Sequence, residues 1–89
     1  MKRDPVVEAG NRLLAELESR LARWKIAREP YETLHQFAER VELVTEFDGF
    51  PRAAAAWVRE YARLRYGGAW SAERVEELRR RMPRPVARG

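Results

Sequence analysis

Apolar side chains along this chain recur with helical spacing. Leu14, Leu17, Leu21 and Trp24 are separated by three, four and three positions, with Leu13 beside them. That is one stripe of an amphipathic helix. Asp4 followed by Pro5 reads as an N-cap and a first helical residue, where a missing N–H leaves no bond unmade. The spacing predicts a helix near residues 5–27. It must end before Pro30, because proline disfavours helical backbone at Glu29. Gly10 is the expected weak point of its first turns.

Thr33 with Gln36 three positions on has the form of a capping box. It opens a second predicted helix near 34–45, with Leu34, Phe37, Ala38 and Val41 on one face. Residues 46–50 break the pattern: Gly49 reads as a turn, and Phe47 and Phe50 are expected to plug the core from the loop. Pro51 opens a third helix near 51–66. Its broad apolar face comprises Ala54, Trp57, Val58, Tyr61 and either Ala62 or Leu64. Gly67-Gly68 is expected to end it in left-handed backbone. Ser71 caps a fourth helix near 72–82, with Trp70 packing on Val75 as a hydrophobic staple. Val75, Leu78 and Met82 continue its stripe until Pro83. Nothing alternates with period two over a useful length, so no strand is assigned. Short connections favour antiparallel neighbours. The expectation is an all-α fold, a compact bundle of four helices with mostly antiparallel neighbours. Residues 1–82 form its single domain, the third helix and Trp57 are central, and 83–89 form a flexible basic tail.

Composition narrows the chemistry. The chain has 89 residues, 45% of them hydrophobic and 36% charged, as in an ordinary globular domain. With no cysteine it has no disulfide, thiolate zinc site or cysteine nucleophile. The longest apolar run, Ala53 to Val58, is far too short to span a bilayer. The formal charge of +4 is unevenly placed: residues from Glu8 to Leu78 carry a net −2. The positive excess therefore lies at the ends, in Lys2 and Arg3 and in Arg79, Arg80, Arg81, Arg84 and Arg88. A nucleic-acid reader would instead carry its basic stripe on a folded face.

Four groupings invite a chemical reading. His35 and Glu39 are four apart on the second helix, but two ligands do not make a metal site. Glu39, Glu42 and Glu46 interleave with the apolar face and so belong on the solvated one. Trp24, Trp57, Tyr61, Tyr66 and Trp70 have the spacing of core packing, against the alternative of a base-stacking platform. Arg79-Arg80-Arg81 is a candidate basic contact for phosphate of nucleic acid or anionic lipid. Favourable cation placement at a helix C-terminus accounts for the same run without a partner, and is preferred.

Two stretches carry a resemblance. They are Tyr31-Glu32-Thr33-Leu34-His35-Gln36-Phe37-Ala38-Glu39-Arg40-Val41, and Tyr61-Ala62-Arg63-Leu64-Arg65-Tyr66-Gly67-Gly68 followed by Ser71-Ala72-Glu73. Together they resemble the C-terminal domain of unknown function of bacterial membrane-anchored transglutaminase-like proteins. There a threonine opens a helix with an aromatic-alanine-x-arginine pattern, a later helix ends in tyrosine-glycine, and a short capped helix follows. The matching positions are Thr33, Phe37, Arg40, Tyr61, Tyr66 and Gly67. The family commonly has proline directly after the threonine, where this chain has Leu34; Gln36 can still close the capping box.

The resemblance implies a cytoplasmic accessory domain that follows a membrane span, with Cys-His-Asp machinery in a separate domain. It implies no catalytic residue, metal or cofactor in this chain. It also implies a protein partner or a parent membrane protein. The alternative is a small nucleic-acid-binding protein acting through its basic ends, with weak, non-specific binding confined to the tails.

Overall fold

The computed structural model of the chain describes residues 4–44 and 49–84. Its regular structure is four helices: α1 (Pro5–Ala22), α2 (Leu34–Glu42), α3 (Phe50–Tyr66) and α4 (Ala72–Arg80). No strand occurs among the described residues, and no helix there is long and apolar enough to cross a membrane.

The helix starts follow local chemistry. The Asp4 carboxylate accepts from the Val6 N–H at 2.9 Å, with Pro5 directly after it. At α2 the capping box is complete. Thr33 Oγ1 accepts from the Gln36 N–H at 3.1 Å, and Gln36 Oε1 accepts from the Thr33 N–H at 3.0 Å. Ser71 Oγ accepts from the Arg74 N–H at the start of α4. These bonds satisfy amide donors that have no partner within the helix.

α3 ends at Tyr66 as expected, but the ends of α1, α2 and α4 come earlier than the periodicity suggests. α1 stops at Ala22 rather than near 27. The Ile26 N–H donates to the Leu21 carbonyl and the Lys25 N–H to the Ala22 carbonyl, with Lys25 left-handed at φ 61°. These two bonds are a Schellman closure, with a lysine where glycine is usual. Ile26 explains it. On a continued helix it would point about 140° away from Leu21, five residues at 3.6 per turn; after the reversal it is buried. Trp24 therefore sits in the turn, half-buried against the core, with its ring 6.2 Å from that of Phe50. α2 ends at Glu42, and the Val44 N–H turns back to the Val41 carbonyl. α4 ends at Arg80 rather than 82, since Pro83 disfavours helical backbone at Met82. At the end of α3 the left-handed residue is Gly68, φ 78°, and not Gly67. A Cβ on Gly67 would run into the Arg63 carbonyl to which its own N–H donates. Phe47 and Glu46 lie outside the described residues; Phe50 is buried as expected, but as the first residue of α3 rather than from the loop.

One core joins all four helices. Leu13, Leu14, Leu17 and Leu21 from α1 belong to it, as do Leu34, Phe37, Ala38 and Val41 from α2. α3 brings Ala54, Ala55, Trp57, Val58, Tyr61 and both Ala62 and Leu64, and α4 adds Val75 and Leu78. α3 is the central element and packs against each of the others. α2 and α4 run antiparallel to it. Glu42 lies near Arg52 and pairs with Arg59, which Glu39 also approaches. Ala53 lines a groove with Pro83, Leu64 lines one with Arg74, and the Trp57 indole N–H donates to the Leu78 carbonyl at 2.9 Å. That last bond satisfies one of the carbonyls left over at the C-terminal end of α4.

The exception to the antiparallel pattern is α1 against α4. Val6 and Ala9 face Ala72 and Val75, while Arg20 donates to the Pro83 carbonyl at 2.8 Å. The two helices therefore run side by side in the same direction. Gly10 is buried in this arrangement and is not a weak point. The Trp70 ring lies so close over it that a Cβ there would stand well inside van der Waals contact with ring carbon Cζ2 and 2.6 Å from Cη2. Trp70 is held in turn by an edge contact with Tyr61, centroids 5.3 Å apart, and by Arg65 over its ring.

Candidate functional site

The residues that carry the resemblance fall into two architectural groups. The first surrounds the start of α2, which its capping box fixes beneath the loop leaving α1. Phe37, one turn on, is fully buried. Arg40, a further turn on, reaches back across the loop. Its Nε and Nη2 donate to the two Glu32 carboxylate oxygens at 2.9 and 2.7 Å, and Nη2 also donates to the Ala27 carbonyl. The guanidinium lies 5.5 Å above the Phe37 ring. This fork holds the Glu32 carboxyl down at about 2, well below its ordinary 4.5. Arg40 is a clamp that fastens residues 27–32 to α2.

The second group lies along α3. Tyr61 is 1% exposed, stacked on Trp57 at 5.6 Å. Its hydroxyl donates to Asn11 Oδ1 on α1 at 3.4 Å, and burial pushes its pKa up. Arg65 donates to the same Asn11 oxygen at 3.0 Å. Gly67 ends the helix. Tyr66 departs from the expectation that the aromatic residues fill the core: it is 73% exposed. At 3.6 residues per turn it lies on the face of α3 turned away from Tyr61. The first group belongs to α2 and the loop before it, the second to α3 and its end.

Several other sequence-level candidates are plain surface. His35 and Glu39 are exposed, and among the described residues no three His, Cys, Asp or Glu side chains cluster as metal ligands. Glu42 is held below its ordinary pKa by the bond from Arg59, as Glu60 is by the bond from Arg63.

The arginine run does not form one patch. Arg79 forks onto Glu76 and Arg81 pairs with Glu77 at 3.0 Å, each on its own helix. Arg81 lines a shallow groove with Ala53, Ala56 and Trp57 of α3. Arg79 and Arg80 face the other way, onto a cleft of about 520 Å³ at the C-terminal end of the α1–α4 seam. Leu13, Glu16 and Arg20 form the α1 wall of this cleft, and Met82 and Arg84 close it beyond α4. Glu16 is the single acid in the lining, and its carboxylate already binds Arg20 at 2.7 Å. Neither Arg80 nor Arg84 has a carboxylate within ion-pair distance among the described residues.

Arg20 is the residue here that sequence reasoning does not single out. Its signal is confined to Glu16 four positions earlier, an ordinary helix pair. Its bond to Pro83 depends on the parallel packing. Guanidinium groups stay charged at any physiological pH and only donate hydrogen bonds, so apart from Glu16 the charged lining of this cleft offers donors and positive charge. In comparisons with protein-family models, curated proteins and solved structures, nothing matches this chain.

Proposed function

We propose that this chain is a non-catalytic interaction domain that works on the cytoplasmic side of a membrane, beside or within a membrane-anchored transglutaminase-like protein. The observation that carries the reading is how the resembling residues are used. Thr33 caps, Phe37 and Tyr61 pack, Arg40 clamps a loop, and Gly67 closes a helix. Such residues mark a shared scaffold, and the scaffold leaves an arginine-lined cleft open at its surface.

The nucleic-acid reading draws on the same arginines. It gains less support, because Arg79 and Arg81 are already paired within α4 and the helix also presents Glu73, Glu76 and Glu77. A phosphate backbone would meet as much negative as positive charge along it.

The genomic reading frame and its immediate neighbours test the proposal. The expected result is a hydrophobic span of about 20 residues and a Cys-His-Asp domain, in the same frame or an adjoining one. Finding neither would contradict it.

A further inference from the structure

We infer that the cleft between the C-terminal ends of α1 and α4 docks a short acidic peptide segment of a partner protein. Its carboxylates would bind Arg80 and Arg84, and an apolar side chain would lie against Leu13 and Met82. The inference rests on the interaction-domain reading and supplies the chemistry of the partner; that reading is decided separately, by the reading frame.

Three observations select this occupant. The first is positive charge without an ion pair, although Glu76 lies near enough to Arg80 to feel its charge. Of the arginines around the cleft, Arg20 is taken up by Glu16 and the Pro83 carbonyl, and Arg79 by Glu76. Arg80 and Arg84 remain, both exposed. Arg20 also fixes the segment after α4 and so sets where Arg84 stands. Two guanidinium forks match carboxylates in the bidentate geometry they favour.

The second is shape. The cleft is concave, about 520 Å³, with apolar side chains beside the charges. A flat bilayer would reach its rim alone, whereas a peptide can enter and bring an apolar side chain with it.

The third is confinement of the positive potential. Glu73, Glu76 and Glu77 occupy α4 within two turns of Arg80, and Glu16 lies opposite. An extended polyanion would gain no net attraction along the rest of α4, where Arg74 and Arg79 are already paired with Glu77 and Glu76. A short acidic segment stays within the favourable end.

Fluorescence anisotropy tests this with a labelled short peptide of glutamates carrying two interior leucines. Controls are the same peptide with glutamine in place of glutamate, a duplex oligonucleotide, and vesicles of phosphatidylserine and phosphatidylcholine. The expected result is saturable binding that weakens with salt and is lost for the glutamine peptide. Arg80→Glu with Arg84→Glu should reduce affinity by about tenfold or more, since like charges then face each other. Arg52→Glu, on the α2 side of α3 near Glu42, should change it less than about twofold. Arg80→Gln with Arg84→Gln repeats the test without introducing negative charge, should the first pair disturb the fold. The proposal is overturned if the peptide does not bind, if Arg52→Glu weakens it as much as the cleft variants, or if oligonucleotide or vesicles bind more tightly through the same two arginines.

Discussion

At the scale of single residues, fit decides against intrinsic preference. Glycine inside a helix is destabilising by about 1 kcal/mol relative to alanine, so Gly10→Ala would strengthen α1 if the position were open. Under Trp70 it should instead destabilise the protein by about 1–2 kcal/mol, the overpacking term outweighing the propensity gain. Urea denaturation checks the sign, and in a Trp70→Ala background the same change should turn stabilising. Trp57 offers a second dissection. Trp57→Phe keeps a ring but removes the donor to the Leu78 carbonyl, and should cost about 1–3 kcal/mol. Trp57→Ala also empties a 5%-exposed site and should cost about 3–5 kcal/mol. Equal losses for the two would mean that packing contributes little there.

At the scale of elements, the helices were legible, as was the end of α3 at Tyr66 before Gly67-Gly68, while the ends of α1, α2 and α4 were not. Positions such as Phe37, Val41, Val58 and Leu78 announce their burial through spacing, and Thr33, Ser71 and Asp4 announce starts through side chains that reach their own backbone. The end of α1 depends on Ile26 finding the core, a tertiary event whose trace in the sequence is an apolar residue out of register. Lys25 adopts left-handed backbone to allow it. Lys25→Gly should therefore stabilise by about 0.5–1 kcal/mol, net of the extra freedom glycine has when unfolded. In a domain of this size the thermal midpoint should rise by a few degrees. A fall would place the lysine side chain in a role of its own. The clamp beneath α2 gives a pH signature. The Glu32 carboxyl titrates near 4.5 when unfolded and about 2 when folded. Its stabilisation is thus complete above pH 4.5 and is lost as pH falls through 2. Glu32→Gln should lower the thermal midpoint at pH 7, and the deficit should shrink between those limits. A deficit that is constant with pH would mean that charge plays no part in the clamp.

At the scale of the molecule, three of the four contacting helix pairs are antiparallel. They are α2–α3 and α3–α4, which short connections join, and α1–α3, where Asn11 meets Tyr61 and Arg65 while Trp24 meets Phe50. The α1–α4 pair is parallel because both helices oppose the central α3. This one relation makes the candidate site. It sets the C-terminal halves of α1 and α4 side by side and gathers Arg20, Arg80 and Arg84, which are up to 64 positions apart in sequence. The sequence locates basic charge after Leu78 but treats Arg79, Arg80 and Arg81 as a unit. A helix turning about 100° per residue divides them between two faces. Periodicity makes the scaffold readable. Which helix ends meet depends on packing, and periodicity alone does not contain it. The central claim is that this scaffold presents a binding function at the α1–α4 seam, and backbone amide chemical shifts test it most directly. The full chain would be labelled with nitrogen-15 and titrated with the glutamate-leucine peptide. The account predicts perturbations concentrated at residues 13–20 and 79–84, with α2 and the α2-facing side of α3 unchanged. Perturbations centred on α2 and α3, or none at saturating peptide, would contradict it.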